Sequence, residues 1–227
     1  MLKRVCFYLI AISFLILFTC LSIWQATRGI AKQRLQNEFL VLSEKPMTTV
    51  PEIFSPQDQY KSVHLQGTLD NQHVFFLDNR FYQHQAGYDF LQIVQIPDSL
   101  PVLVNRGFVA NHGDRATLPV VSYVEGQVTI KGRLYHPKRA LQLSSADDTP
   151  LNWPKLIQTI DFDAIAAKLG YPIAPYVVML DSESALAYPS AWQPIVVSPA
   201  RHFGYAVQWG LLALMVLIAT IVFSKRK

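Results

Sequence analysis

The chain has 227 residues, 20 Lys+Arg against 16 Asp+Glu for a formal net charge of +4, and a hydrophobic share of 51%. That apolar content excludes a disordered chain, and so slight a positive excess excludes a polybasic nucleic-acid binder. The apolar residues gather at the two ends, which points to membrane segments at both.

From Val5 to Trp24 the run VCFYLIAISFLILFTCLSIW carries no charge. Its roughly 20 residues, at about 1.5 Å rise each, cover about 30 Å, the hydrocarbon thickness of a bilayer. The run is longer than a signal-peptide core and no A-x-A site follows it, so it reads as a retained span. LFTC, ending at Cys20, resembles a lipoprotein processing site only faintly, because Phe18 and Thr19 are poor residues there. Cys6 and Cys20 both lie inside this run, which leaves the rest of the chain without a disulfide framework or a C-x-x-C clip.

After Trp24 a helix is expected to continue, since Leu35, Phe39 and Leu42 recur at helical spacing, until Pro46 and Pro51 stop it. Strands are expected over Val63–Leu69, over His73–Asp78 after an Asp70-Asn71 turn, and over Tyr88–Ile96, Pro101–Val109 and Gln127–Tyr135. The pattern is antiparallel, without βαβ periodicity. V-x-L-x-G-x-L at Val63–Leu69 and V-x-I-x-G-x-L at Val128–Leu134 echo one another, and Gly67 and Gly132 suggest bulges or tight bends in a barrel or sandwich.

DFDAIAAKLGYP reads as a soluble helix, with Asp161 as N-cap, an apolar face of Phe162, Ile165, Ala166 and Leu169, and Gly170 at its end. PYVVML and QPIVV are expected as late strands, with an extended approach through Pro189, Pro194 and Pro199 to a second apolar run, Gly204–Phe223. Lys3 and Arg4 precede the first run and Lys225, Arg226 and Lys227 follow the second, so the positive-inside rule puts both termini in the cytoplasm.

The expected layout is residues 1–4 in the cytoplasm, a first span over 5–24, an extracytoplasmic domain with a helical N-terminal extension over 25–203, a second span over 204–223, and 224–227 again in the cytoplasm. This is a fold of two transmembrane α-helices flanking a mainly antiparallel β domain with one or two helices, an α+β arrangement. The intervening domain, of about 175 residues, is long enough for its own core. With no Arg- and Ser-rich presequence, the bacterial cytoplasmic (inner) membrane is the expected location.

Two stripes at one membrane level draw attention. Trp24, Arg28 and Lys32 follow at i, i+4 and i+8, and His202, Tyr205, Ala206 and Trp209 at i, i+3, i+4 and i+7. One reading is an interfacial belt of aromatics with cations on lipid phosphates. The other is a ligand site, because aromatic walls, an imidazole nitrogen and cations for carboxylates suit an amphipathic haem at the membrane surface.

In the exported domain Asn79-Arg80 and Asn105-Arg106-Gly107 either present a guanidinium to a partner or tie down their own loops. His64, His73, His84, His112 and His136 show no metal-ligand spacing, and Asp147-Asp148 reads as a solvated turn. There is no G-x-S-x-G, no phosphate-cradling glycine loop and no thiol outside the first span. An enzyme is not expected, and a hydrolase would need a Ser and a His brought together by the fold alone.

WQATRGIAK, LDNRFYQHQAGYDF, VLVNRGFV, the Asp161 helix leading to PYVVML, and RHFGYAVQWGLLAL together resemble the Surfeit locus (Shy) family of cytochrome c oxidase assembly proteins over nearly the whole chain. The resemblance implies a membrane-bound, non-enzymatic factor that handles haem a on its way into the oxidase catalytic subunit, alongside haem a biosynthesis or assembly factors. It implies His202 as the haem-iron ligand, with Tyr205, Trp209, Trp24, Gln25, Arg28 and Lys32 as further cofactor-binding residues. Asn105, Arg106 and Gly107 match the family's strand motif. The alternative is a membrane-anchored scaffold for the oxidase or another membrane complex that binds no cofactor. Four positions depart from the family pattern: Phe108 and Ala110 stand for Trp and Pro, Ser22 for Gly, and Gly210 for an aromatic.

Overall fold

The computed structural model describes residues 2–111, 118–137, 153–189, 192 and 197–225. The elements run α1 (Leu2–Ser43), β1 (Thr48–Thr49), β2 (Ser62–Tyr82), β3 (Gln85–Gln95), β4 (Val102–Ala110), β5 (Gln127–Tyr135), β6 (Lys155–Ile157), α2 (Phe162–Leu169), β7 (Val177–Leu180) and α3 (Pro199–Lys225). They divide into two compact units, Met1–Val41 with Gln193–Lys227, and Leu42–Trp192.

The first unit consists of α1 and α3. Both are long and apolar enough to cross a membrane, with an 18-residue window of mean hydropathy 2.5 within Arg4–Leu42 and one of 2.3 within Pro199–Lys225. Leu9, Ile16, Ile23, Val207, Met215 and Ile218 are exposed along them, a surface suited to lipid and not to water. As the spacing of Leu35, Phe39 and Leu42 predicts, α1 continues without a break past Trp24, ending at Ser43 before Pro46. Pro199 does not prolong an extended approach: it opens α3, at a position where its missing N–H has no helical partner to lose. Of the strand expected over 193–197, all but Val197 lies outside the described residues.

The second unit is a sheet that closes on itself. β2 pairs with β3, β3 with β4, β4 with β7, β7 with β5, and β5 returns to β2. These pairings are antiparallel except β4 with β7, and β1 and β6 add further parallel pairings to β2. The sheet is thus mostly antiparallel, as expected, but mixed. The parallel partners arrive after long connections that local alternation does not register.

Asp70-Asn71 does not reverse the chain. β2 runs through it, with a register shift between Leu69 and Val74. The Asp70 carboxylate accepts hydrogen bonds from the backbone N–H groups of Gln72 and His73 at 2.8 and 3.0 Å, where the bulge interrupts the ladder.

The echoed motifs prove to be partners. In the antiparallel β2–β5 pair Val63 faces Gly132, Leu65 faces Ile130 and Gly67 faces Val128, so the motif pairs with itself about a local two-fold. The register there is unbroken, so neither glycine is a bulge. A Cβ on Gly67 would fall 2.3 Å from the Gln95 carbonyl oxygen, and one on Gly132 2.4 Å from that of Met179. Each glycine lets a third strand close in, which is how a barrel this small turns its corners.

Alternate residues of all five barrel strands, among them Val63, Val94, Val104, Ile130 and Val178, form one buried cluster. The opposite face, with Phe75, Leu91, Leu103 and Val177, packs against Ile165 of α2. A five-stranded barrel cannot enclose a helix, so the first cluster is the interior and α2 flanks the outside. α2 is capped as its sequence predicts: Asp161 accepts from the N–H groups of Asp163 and Ala164, and Gly170 ends it at φ 78°.

Candidate functional site

α1 and α3 pack antiparallel, and their contacts define a seam. Phe7 meets Phe223 with ring centroids 4.0 Å apart, and Phe18 stacks on Trp209 at 5.5 Å. The Ser22 hydroxyl donates to the Ala206 carbonyl at 2.8 Å, Gln25 Oε1 lies 2.9 Å from His202 Nδ1, and a Cβ on Gly29 would stand 2.7 Å from the Phe203 ring. Phe18, Ser22, Gln25 and Gly29 follow at spacings of four, three and four, the period of a left-handed helix pair. Small and polar residues at the seam suit helices joined in lipid, where close approach and hydrogen bonds replace the hydrophobic drive.

From Phe7 to Gln25 the helix rises about 27 Å, close to the hydrocarbon thickness. The Gln25–His202 pair therefore stands about one hydrocarbon thickness along the helices from the Phe7–Phe223 contact near the chain ends.

Of the residues singled out in the sequence, the seam brings together Gln25, His202 and Trp209. Trp24 lies one residue out of phase, 50% exposed, with the Arg28 guanidinium 5.9 Å from its ring centroid. Lys32 is half-buried further along the same helix. Tyr205 is 52% exposed and points off the seam, whereas its neighbour Ala206 is buried in it. Phe203 and Gly29 were not singled out; the signal was a glycine just past an apolar run, in a helix where it carries a propensity cost unless it serves packing. Two departures from the family pattern face each other, since a Cβ on Gly210 would lie 3.5 Å from Ser22 Oγ. A larger residue on α1 here meets a smaller one on α3.

In the barrel the two Asn-Arg motifs converge on Asp89. Arg80 Nε forms an ion pair with Asp89 Oδ2 at 3.2 Å, and Asn105 Nδ2 donates to the same oxygen at 3.1 Å. Burial pushes this carboxyl above its ordinary value, against the opposing pull of Arg80 and Asn105. Asn79 takes φ 61° at a second register shift in β2, a conformation asparagine tolerates.

Arg106 is 3% exposed and is held inside. Its Nε donates to the Leu186 carbonyl at 2.9 Å, and its Nη1 to Gln92 Oε1 at 2.8 Å and to the Ser122 carbonyl at 3.3 Å. Its guanidinium carbon lies 5.2 Å from the Phe90 ring centroid and 5.4 Å from that of Tyr188. Burial draws its pKa below the ordinary value.

Gly107, at φ 116°, completes the motif. Its N–H donates to Asn105 Oδ1 at 2.8 Å, and a Cβ there would fall 2.3 Å from the Tyr188 carbonyl oxygen. The Arg106 carbonyl and Phe108 N–H each bond the Tyr188–Pro189 backbone at 2.6 Å. The motif thus latches the 186–189 segment to β4.

Among the described residues no three His, Cys, Asp or Glu side chains form a metal-ligating group. The seam itself holds one imidazole, His202, and one indole, Trp209, while Trp24 and the Arg28 guanidinium lie off it on α1. One imidazole does not supply the several protein ligands a bare cation needs, whereas a porphyrin would bring its own equatorial nitrogens and ask the protein for an axial one.

Two bilayer-length helices flanking a closed β-barrel in sequence, with an imidazole–amide pair between the helices, fit a two-span membrane protein built around a small barrel domain. No individual curated protein matches the chain. The chain belongs to the SURF1 family, whose model matches residues 12–214 and so takes in the barrel and the greater part of both helices. That family serves cytochrome c oxidase assembly and is not a family of catalysts.

Proposed function

We propose that this protein is a non-enzymatic assembly factor that receives haem a at the outer surface of the bacterial cytoplasmic membrane and presents it to the cytochrome c oxidase catalytic subunit. The single observation that carries this reading is the His202–Gln25 pair, placed about one bilayer thickness from the helix ends that bear Arg4 and Lys225. Basic residues at both ends support cytoplasmic termini and an outward-facing site.

In this reading His202 supplies the axial nitrogen for the haem iron. Trp209 and Trp24 offer apolar and aromatic surface to the ring, and Arg28 and Lys32 offer charge to the propionates. Tyr205, exposed beside the seam, stands where a cargo or an oxidase helix would meet it. Asn79, Arg80, Asn105, Arg106 and Gly107 act at a distance, by holding the barrel in shape. The scaffold reading draws its support from Gly210, which puts no aromatic next to Trp209 on α3, and from Phe18, which already covers the Trp209 ring.

The two readings part in cells lacking the gene and complemented with wild type or His202→Ala. Reduced-minus-oxidised spectra of their membranes are expected to show the haem a signal of the oxidase restored by wild type and lost with His202→Ala at equal protein level. Full restoration by His202→Ala would remove the carrier role and leave the scaffold.

A further inference from the structure

We infer that Gln25 is a positioning residue that fixes His202 in the Nδ1–H tautomer, leaving the Nε2 lone pair as the nitrogen available to iron. The inference rests on the haem reading above. Gln25 Oε1 is 2.9 Å from His202 Nδ1. In this amide orientation Oε1 accepts, so Nδ1 donates and in a neutral ring Nε2 is unprotonated; the flipped amide would instead donate to Nδ1 and put the proton on Nε2, the outcome the test below reads. An imidazole without a partner in water favours the opposite tautomer, which would set a proton on the nitrogen that has to bind.

The rest of the seam supports this assignment. Ser22–Ala206 on one side and Gly29–Phe203 on the other hold the two backbones close, so the amide and the ring are fixed in register instead of finding each other from mobile side chains. A histidine that ligates a metal commonly donates its other N–H to a fixed acceptor, and here the acceptor comes from a different helix. Haem binding would therefore report on whether α1 and α3 are docked.

The bland alternative is that glutamine and histidine merely glue the helices together. A glue would not care which ring nitrogen carries the proton. The test is ¹⁵N NMR of histidine-labelled full-length protein in lipid nanodiscs at about pH 8, where an ordinary imidazole is neutral, with His202 assigned by the signal missing in His202→Gln. The expected result is Nδ1 protonated and Nε2 bare in wild type, a shift toward Nε2–H in Gln25→Leu, and recovery of Nδ1–H in Gln25→Glu, whose carboxylate also accepts.

Hemin titration of the same samples is expected to weaken by about tenfold in Gln25→Leu and to recover in Gln25→Glu. A bare Nδ1 in wild type, or an unchanged tautomer in Gln25→Leu, overturns the inference. So does hemin binding that is equal in wild type and Gln25→Leu, while leaving the haem reading intact. A wild type that takes up no hemin overturns the haem reading itself and, with it, the purpose assigned to Gln25.

Discussion

Replacing Arg106 by Met decides between the two roles open to the Asn-Arg motifs. Methionine keeps much of the stem that lies between Phe90 and Tyr188 but removes the guanidinium that serves Gln92, Leu186 and Ser122. Gln92 Oε1, fully buried, is left without this donor at about 1–3 kcal/mol, whereas water can reach the half-buried Leu186 and exposed Ser122 carbonyls, and the relief from no longer burying a charge offsets part of the total. A net loss of about 2 kcal/mol follows from those two opposing effects. In a domain the size of Leu42–Trp192, about 2 kcal/mol lowers the melting midpoint by roughly 4–8 °C. The assay is thermal unfolding of the full chain in detergent, followed by tryptophan fluorescence. A shift under about 2 °C would refute the latch, and unaltered melting together with lost oxidase assembly would make Arg106 a partner contact.

Gly107→Ala is expected to cost at least ~2 kcal/mol, from its φ of 116° and the close Tyr188 carbonyl, and the same melting assay reads it. Asp161→Ala, which removes the α2 cap, is expected to cost ~1 kcal/mol, visible as a small drop in midpoint with the fold intact. The barrel should also lose stability on acidification. Burial would raise the Asp70 carboxyl, but hydrogen bonds from the His73 side chain and from the His73 and Gln72 backbones outweigh it and hold the pKa below the ordinary value. Stability from a lowered carboxyl is complete above the unfolded pKa and lost as pH falls through the folded one, so Asp70→Asn should flatten the acid limb below about pH 4. Asp89, raised by burial, works the other way: its contribution is present in acid and lost as pH rises through its folded value.

The helices, the Asp161 cap and the main strands were legible because each depends on local chemistry: apolar length, a capping oxygen or alternation. The β2–β5 echo was legible as a repeat, but not as a pair of partners, because nothing local says that Gly67 and Gly132 each admit a third strand. Asp70-Asn71 misled for a physical reason. The same side-chain-to-backbone bonds that make Asx residues common in turns also serve a bulge inside a strand.

At the membrane, the stripe through Trp24, Arg28 and Lys32 was one residue out of phase with the seam, which runs through Gln25. Aromatic and charged residues mark the water boundary all around a helix, and which face meets the neighbour is decided by small residues such as Gly29 and Ala206. Asp89, where the two Asn-Arg motifs meet, carried no signal of its own, because burial and a cross-strand partner are properties of the fold.

The central claim, that one imidazole at the helix seam holds a haem, is tested most directly by the colour of the protein. Wild type and His202→Ala, each purified from cells that make haem a, are compared by absorption in the Soret region at equal protein concentration. A Soret band in wild type and none in His202→Ala is the predicted result; a colourless wild type, or a band undiminished by the substitution, would contradict it.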